Sequence, residues 1–459
     1  MHPRSLTPRF LAASILLLAT LAQGCTALRW SAPDEHRQPT PNVILLIADG
    51  LGAPGLTMAR NYHVGANGRL AIDQLPVHGW CTTHAVREDD PARPDYVTDS
   101  AASATAIATG RKTSNRRLAT EPQTDAAIPT ILEQARDAGL RTGLVSTASL
   151  ADATPAAFAA HVNYRWCYDP AMMAGCPTFT KMSGGLGSIV EQLVDARPDV
   201  LLGGGMVSFR QRIAAGPDAG RRVVEAARAA GYRVVDSADE LGGLEPGAPV
   251  LGLFADGNLA PAWKPSLASF PPGEAERCEP GNRPPRQPSF TAMLEAALRH
   301  LEPARADRAP GFFLMAEAAM IDKQAHVADA CGQIGDTVEF DEGVALARAF
   351  AERHPGTLLI VVGDHDHTPQ IVDPAYAEYS PGITTTLTTF DGSPMTIAYA
   401  TSFFGLRQQH TASQRPLAAL GPAAERLGGL VDHADLYHLM REHLGLARPA
   451  AGGDEALQP

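Results

Sequence analysis

The segment from Phe312 to His326 carries three side chains of the kinds that hold metal ions. Its apolar start predicts a strand, which leads to Glu317. Asp322 and His326 follow four residues apart, a spacing that places both side chains on one face of a helix. A carboxylate and an imidazole side by side are typical metal ligands, whereas any one of them alone is more often a surface or hydrogen-bonded group.

Two further apolar segments end in side chains of the same kinds. Residues 42–48 predict a buried parallel strand, and Asp49 comes directly after it. Residues 358–363 predict another, which is followed by Asp364 and His365. Three such strand ends are difficult to explain by stability, although Asp49 taken by itself could simply cap the next helix. Oxygen and nitrogen ligands without thiolates suit zinc, and an all-oxygen position suits magnesium.

Ser100 stands at the start of a run of small residues. The run continues through Thr109 to Gly110 and predicts a helix, because alanine favours helices and glycine commonly follows their last turn. The free N–H groups and the dipole at the start of a helix favour anions. Ser100, preceded by Asp99, could therefore be a nucleophile placed beside an anion, or it could merely cap the helix.

Asp152 and Thr154 come shortly after a strand predicted at residues 140–147. They are two positions apart and precede a proline, so they could point the same way from extended chain, or they could begin the next helix. Arg165 follows, just before two closely spaced cysteines. A disulfide there would hold Arg165 rigidly, although most arginines are simply solvated.

Length and composition limit the functions that these residues can have. The 459 residues, of which 45% are hydrophobic, allow one large α/β domain or two smaller ones. Apolar spacing predicts an amphipathic helix at residues 128–139, in alternation with the predicted strands. The formal net charge is −12, and no run of lysine or arginine offsets it. The sequence therefore argues against nucleic-acid binding.

The N-terminus has the pattern of an export signal. Arg4 and Arg9 precede an apolar run at residues 10–21 that is too short to span a bilayer comfortably. Cys25, after a glycine, resembles the lipidated first residue of a bacterial lipoprotein, and ordinary cleavage nearby is the alternative. We therefore expect an exported, periplasmic protein, attached to the membrane if Cys25 is lipidated. The expected organisation is an export signal at 1–25, a tether at 26–41, a single catalytic domain at 42–446 and a disordered tail at 447–459.

The other cysteines would enter an oxidising compartment, where closely spaced pairs tend to form disulfides. Cys167 and Cys176 bracket a short loop and are the obvious pair. Cys278 and Cys331 could form a second disulfide, which would leave Cys81 free, but the sequence alone does not decide this pairing. The spacings fit no zinc-binding cysteine pattern.

A series of short motifs runs through residues 42–446. In chain order they are V-I-L-L-I-A-D-G, D-Y-V-T-D-S-A-A-S-A-T-A, S-T-A-S-L-A-D-A-T-P-A-A, L-G-G-G, L-G-L-F-A-D-G-N, I-D-K-Q-A-H, C-G-Q-I-G-D-T-V, G-D-H-D-H and Q-H-T-A-S-Q. As an ordered set they resemble the bacterial alkaline phosphatase family. The resemblance implies a doubly wound α/β fold, with a mostly parallel central sheet and helices on both faces. It also implies the hydrolysis of small-molecule phosphate monoesters.

The resemblance further implies a role for each matching residue. Ser100 would be the nucleophile, and Arg165 would clamp the phosphate. One zinc would be held by Asp322, His326 and His410, a second zinc by Asp49, Asp364 and His365, and a magnesium by Asp49, Thr154 and Glu317. The supporting residues would be Asp99, Asp152, Lys323 and His367, with Lys323 contacting phosphate through water and His367 orienting ligands rather than binding the metal itself.

The resemblance also agrees with the two suggested disulfides and implies a homodimer. Two positions depart from the pattern of relatives: Ala325, where an acidic residue can stand, and Asp366, between the two histidines of the G-D-H-D-H stretch. These departures leave the metal affinity and the reaction rate undecided, but they do not change the predicted reaction.

The chemistry explains why such residues would be needed together. A phosphate monoester dianion repels nucleophiles, and two metal ions roughly 3.5–4 Å apart can hold the attacking and leaving oxygens of an in-line displacement. Two displacements through a phosphoserine would retain configuration at phosphorus. A Ser-His-Asp hydrolase would leave the other carboxylates unexplained, and its G-x-S-x-G turn is absent from the sequence. The alternatives are a phosphodiesterase or sulfatase on the same fold, and a non-catalytic exported lipoprotein that stores metal or binds phosphate.

Overall fold

The computed structural model describes residues 40–245, 247–302, 311–403 and 405–447. The predicted export signal with Cys25, nearly all of the tether and nearly all of the predicted tail lie outside these residues. Within the described ranges, no helix is both long and apolar enough to cross a membrane.

Strands and helices alternate through most of the described chain, as the sequence predicts. The strands are β1 (Asn42–Ala48), β2 (Val77–Cys81), β3 (Ala85–Val86), β4 (Pro94–Asp95), β5 (Arg141–Ser149), β6 (Val200–Gly204), β7 (Arg233–Val235), β8 (Val250–Leu253), β9 (Phe312–Ala318), β10 (Thr357–Gly363), β11 (Asp366–His367), β12 (Gln370–Val372), β13 (Ile383–Thr388), β14 (Pro394–Tyr399), β15 (His410–Thr411), β16 (Arg415–Leu420) and β17 (Gly429–Val431). The helices are α1 (Ala53–His63), α2 (Ser100–Thr109), α3 (Ile131–Asp137), α4 (Ala153–Ala156), α5 (Ile189–Ala196), α6 (Met206–Phe209), α7 (Val223–Ala229), α8 (Ala238–Gly242), α9 (Phe290–Leu301), α10 (Met320–His326), α11 (Ala330–Arg353) and α12 (His433–His443).

A ten-stranded sheet with the order β17-β2-β16-β10-β1-β9-β5-β6-β8-β7 forms the centre of the fold. From β10 to β7 every neighbouring pair is parallel. β16 runs antiparallel to β10 and to β2, so the sheet is mixed towards one edge. The predicted α/β class with a mostly parallel central sheet is therefore confirmed.

Both faces of the sheet are covered, which explains the almost continuous apolar sequence of β1. Val43, Leu45 and Ile47 belong to a hydrophobic cluster on one face, and Ile44 and Leu46 belong to a second cluster on the other. Because successive strand residues point to opposite faces, helices must pack on both sides to bury them. This arrangement is the doubly wound one that the resemblance implies.

Helix α3 begins later than its apolar spacing predicts. The prediction covers residues 128–139, but the helix starts at Ile131 because Thr130 and Glu133 form a reciprocal capping box. It ends at Asp137, before Gly139, whose φ of +81° does not continue a helix.

Both predicted disulfides are present. Cys167 is bonded to Cys176 and Cys278 to Cys331, and Cys81 is free and buried. The first bond closes the loop that follows Arg165, and the second ties the proline-rich loop after residue 270 to the start of α11.

Truncating the core of β1 should destabilise the protein strongly. Leu45 is fully buried, so we expect Leu45→Ala to lower the free energy of unfolding by about 2–5 kcal/mol, through lost burial and the cavity left behind. Leu430 of the edge strand β17 is 59% exposed. Leu430→Ala should therefore change the free energy of unfolding by about 0.5 kcal/mol or less. Chemical denaturation of both variants measures the difference, and equal losses would show that β1 is not central to the core.

Candidate active site

Parallel pairing brings three strand ends to one edge of the sheet. β1 lies between β9 and β10, and its last residue Ala48 is paired with Gly363, the last residue of β10. Asp49 and Asp364 come directly after these two strands, and Glu317 is the penultimate residue of β9. In open α/β sheets this carboxyl edge is where ligands bind.

One group of candidate metal ligands consists of Asp322, His326 and His410. The Nε2 atoms of His326 and His410 lie 3.5 and 3.4 Å from Oδ1 of Asp322, and they are 3.2 Å apart. The first two residues come from α10, and His410 comes from β15. Nδ1 of His326 is 2.5 Å from the carbonyl oxygen of Gln408, which leaves its Nε2 for a metal.

His367 joins this group through strand pairing. β11 is antiparallel to β15, so His367 lies opposite His410. Its Nε2 is 3.2 Å from Nδ1 of His326 and 3.6 Å from Oδ1 of Asp322. The His367 imidazole is therefore close enough to orient the ligands, as the sequence analysis expects, and close enough to belong to the ligand group itself.

A second group consists of Asp49, Asp364 and His365, all of them buried. Nε2 of His365 lies 3.2 Å from Oδ1 of Asp49, 3.5 Å from Oδ2 of Asp364 and 3.1 Å from Oγ of Ser100. Nδ1 instead faces the carbonyl oxygen of Asp366 at 3.2 Å. A Ser-His-Asp triad needs the serine and the aspartate on opposite ring nitrogens, so this arrangement is not one.

Ser100 is the first residue of α2 and does not cap it. The cap is Asp99, whose Oδ1 accepts a hydrogen bond from the N–H of Ala102 at 3.0 Å. Gly110 ends the helix in the left-handed conformation, with φ of +72°. Because Asp99 takes the capping role, the Ser100 hydroxyl is free to face the second ligand group.

Three carboxylate oxygens in these two groups are buried and face imidazole nitrogens at 3.2 to 3.5 Å without the geometry of a hydrogen bond. They are Oδ1 of Asp49, Oδ1 of Asp322 and Oδ2 of Asp364. Buried carboxylates without donors are costly unless a cation neutralises them. The donor set, which is oxygen and imidazole nitrogen without sulfur, fits divalent cations.

A third set of oxygens lies behind Asp49. Oε2 of Glu317 accepts a hydrogen bond from Oγ of Ser146 at 2.5 Å. The hydroxyl of Thr154 is close enough to lower the pKa of Glu317, yet it is buried without the geometry of a hydrogen bond. Thr154 lies in α4, and Asp152 caps that helix, so the expectation that both point from extended chain is wrong. The carboxylates and the hydroxyl together suit an all-oxygen cation site.

Arg165 and Lys323 bring positive charge to the site. Arg165 is held in place, since Nη1 donates to Asp99 Oδ2 at 3.0 Å and Nη2 donates to Asp152 Oδ1 at 2.9 Å. Nζ of Lys323 lies 3.2 Å from Asp152 Oδ2 and 3.4 Å from Asp49 Oδ2. The alternative that Arg165 is simply solvated is therefore wrong.

The clustered carboxylates repel one another, and burial makes their charged forms costly. Burial, together with Asp322 and Asp364, raises the pKa of Asp49 to about 7. Burial and then Asp49 raise the pKa of Glu317 well above its usual range. Burial lowers the pKa of His326 to about 4, so its imidazole is neutral near pH 7, as a metal ligand must be.

These groups open into a cleft of about 1060 Å³. Its lining includes Ser100, Arg165, Asp322, Lys323 and His410, and it continues past them to exposed residues at the rim. The structure thus brings together the nucleophile, clamp, metal-ligand and supporting residues that the resemblance implies, whereas Cys25 lies outside the described residues. It adds Ser146, which begins the S-T-A-S-L-A-D-A-T-P-A-A motif, and the Gln408 carbonyl, which directly precedes the Q-H-T-A-S-Q motif; their roles become visible only through their contacts.

Comparison with known proteins identifies similar chains. The alkaline phosphatase family model matches residues 40–403. A streptomycin-6-phosphate phosphatase of Streptomyces griseus is 48% identical over 443 residues, which are 95% of this chain and 96% of the relative. An alkaline phosphatase of Escherichia coli K12 is 45% identical over 92% of this chain and 88% of its own length. The fold resembles that of Thermus thermophilus alkaline phosphatase, with a TM-score of 0.66, 24% identity and coverage of 91% and 96% of the two chains.

Removing bound cations should make stability depend more strongly on pH. Without metal, the pKa of Asp49 is about 7 instead of 3.8, so stability falls as the pH rises from about 4 to about 7. Although burial opposes it, Asp364 and Asp49 raise the pKa of His365 to about 10, so stability falls again from about 6.5 to about 10.

Burial lowers the pKa of His326 to about 4 and that of His367 to about 2, which acts in the opposite sense below about pH 6.5, so the net loss is expected above that pH. We therefore expect the melting temperature of the chelated protein to drop between about pH 7 and about pH 9 by more than that of protein saturated with zinc and magnesium. Scanning calorimetry of the two forms in matched buffers measures this. Parallel pH profiles would mean that these carboxylates do not share a cation.

Proposed function

Because the chain belongs to the alkaline phosphatase family, and is therefore a phosphatase acting on phosphate monoesters, we propose that Ser100 accepts the phosphoryl group in a covalent intermediate. The observation that carries this proposal is the position of the Ser100 hydroxyl. It lies at the start of α2, beside the second ligand group and within the cleft that Arg165 lines. The free N–H groups at the start of a helix favour a bound phosphate at this place.

The proposed reaction comprises two displacements at phosphorus. Ser100 Oγ bonds to phosphorus as the bond to the ester oxygen breaks, and the alcohol leaves with a proton. Water then attacks the phosphoserine, which releases inorganic phosphate and restores the hydroxyl. Because such transfer is mostly positioning and charge neutralisation, few other groups are required.

Arg165 is the proposed clamp for the phosphate. Its guanidinium is a planar fork that matches two phosphate oxygens, and the hydrogen bonds to Asp99 and Asp152 fix its direction. Lys323, next to Asp152, would contact the phosphate through water. Although burial opposes it, Asp152 and Asp49 keep the pKa of Lys323 well above its usual range, so the ammonium stays charged.

We propose two zinc ions and one magnesium ion as cofactors. Asp322, His326 and His410 would hold one zinc, Asp49, Asp364 and His365 the other, and Asp49, Thr154 and Glu317 the magnesium. When bound, such cations neutralise phosphate charge and lower the pKa of a nearby hydroxyl. The buried oxygens of Asp49, Asp322 and Asp364 that lack a well-formed hydrogen bond support this assignment.

Export to the periplasm, lipidation of Cys25 and homodimer formation remain proposals. The first two are supported by the apolar segment before Cys25, and export also by the two disulfides, which form in oxidising compartments. The dimer is supported by family resemblance alone. Mass spectrometry of the mature N-terminus and light scattering of the purified protein test these proposals.

Ser100→Ala should abolish phosphoenzyme formation and lower turnover of p-nitrophenyl phosphate by roughly a thousandfold or more, because no other hydroxyl takes its place. Trapped phosphoserine is measured by mass spectrometry, and metal content and melting temperature are measured on the same sample. Ser208→Ala, which changes another serine of the cleft lining, is the matched control and should behave as the wild type. A phosphoenzyme in Ser100→Ala would refute the assignment.

Arg165→Ala should weaken binding of inorganic phosphate by about 10- to 100-fold. Metal content should stay constant, because the guanidinium of Arg165 donates to Asp99 and Asp152, neither of which is a proposed metal ligand. Arg165→Lys keeps the charge but not the fork, and should recover only part of the loss. Competitive inhibition by phosphate and elemental analysis measure the two effects. Loss of metal with unchanged phosphate affinity would contradict the clamp role.

A further inference from the structure

Arg116 has a backbone conformation that arginine rarely adopts. Its φ is +76°, in the left-handed region that favours glycine. The peptide is anchored on both sides, because its N–H lies 3.1 Å from both carboxylate oxygens of Asp99 and its carbonyl accepts the N–H of Arg165 at 2.8 Å. The backbone of Arg116 therefore braces two residues of the proposed site. This bracing uses only backbone atoms, so it does not explain why the side chain is an arginine.

The side chain of Arg116 has a defined direction. Its guanidinium carbon lies 5.5 Å from the centroid of the Trp166 ring, which is a cation–π contact. Trp166 in turn packs edge-to-face on Tyr164, with the ring centroids 4.8 Å apart and the planes at 68°. Arg116 and Trp166 both line the cleft and both are exposed. The aromatic pair thus holds a cation at the rim, next to the phosphate clamp.

The acidic residues of the same rim already have partners, and Asp256 among them is paired with Arg210 at 3.2 Å. Glu88 receives two hydrogen bonds from Arg117, at 2.7 and 2.6 Å. Asp95 accepts a hydrogen bond from Asn115 at 3.0 Å. By contrast, the Arg116 guanidinium forms no ion pair with a carboxylate of the described residues and lies instead over the Trp166 ring. The rim therefore presents an uncompensated positive charge to whatever extends beyond the bound phosphate.

We propose that Arg116, held on Trp166, determines specificity by binding an anionic group of the alcohol, such as a carboxylate or a second phosphate. This inference rests on the proposed function, because the alcohol is the leaving group of the phosphate ester. A cleft of about 1060 Å³ that continues past the phosphate clamp has room for such a group. Arg116 acts on the choice of substrate and takes no part in phosphoryl transfer.

The test compares two aryl phosphates, 4-carboxyphenyl phosphate and 4-(aminomethyl)phenyl phosphate. The measured quantity is the ratio of their kcat/KM values, whose change between variants is independent of the intrinsic reactivity of each ester. Arg116→Gly removes the guanidinium, and glycine accepts a φ of +76° without strain, so the brace is retained. We expect this variant to lower the anion-to-cation ratio about fivefold, mainly through the KM of the anionic ester.

Two further variants and one condition sharpen the result. Trp166→Leu removes the aromatic support. It should lower the logarithm of the kcat/KM ratio by about half as much as Arg116→Gly does. Arg299→Ala makes the same change in net charge on α9, outside the cleft lining, and should leave the ratio unchanged. In the wild type the preference for the anionic ester should shrink as the ionic strength rises, because salt screens exposed charges.

An unchanged ratio in Arg116→Gly, or a wild-type preference for the cationic ester, would overturn the inference while leaving the phosphatase function intact. If the metal-loaded wild type hydrolysed neither ester, nor phenyl phosphate, the proposed function and the inference would fail together.

Discussion

Mutual repulsion of buried carboxylates is the constraint on which the rest of the structure depends. Asp49, Asp322, Asp364 and Glu317 are all buried at one edge of the sheet. Bringing these charges together in a medium of low dielectric constant is unfavourable, and it raises the pKa of Asp49 and Glu317. The fold tolerates the repulsion because burial of the strands behind it supplies a large opposing stabilisation. A divalent cation bound among these carboxylates would relieve this repulsion.

The parallel sheet converts this unfavourable cluster into a defined geometry. β9, β1 and β10 are neighbours in register, so their ends cannot separate without breaking the ladder between them. The strand interiors pack on both faces, and such close-packed interiors resist local displacement. The packed core therefore determines where the strand ends lie. The loops after β9, β1 and β10 direct the ligand side chains towards one another.

Much of the site could be predicted from the sequence, because its ligands follow recognisable strand ends. The spacing of Asp322 and His326 indicates a shared helix face, and the small residues after Ser100 indicate the helix that presents it. Contacts between distant segments could not be predicted. The pairing of His367 with His410 depends on two short strands more than forty residues apart, and Arg116 shows its unusual backbone only in three dimensions.

The ligands of the first group come from widely separated parts of the chain, with His410 supplied by β15 near its end. A polypeptide that stops before residue 410 therefore holds the acidic residues without the imidazole that completes the group. During synthesis the C-terminal part of the chain is made last. Metal binding by the complete first group would thus require the chain through residue 410, whereas the second group is complete by residue 365.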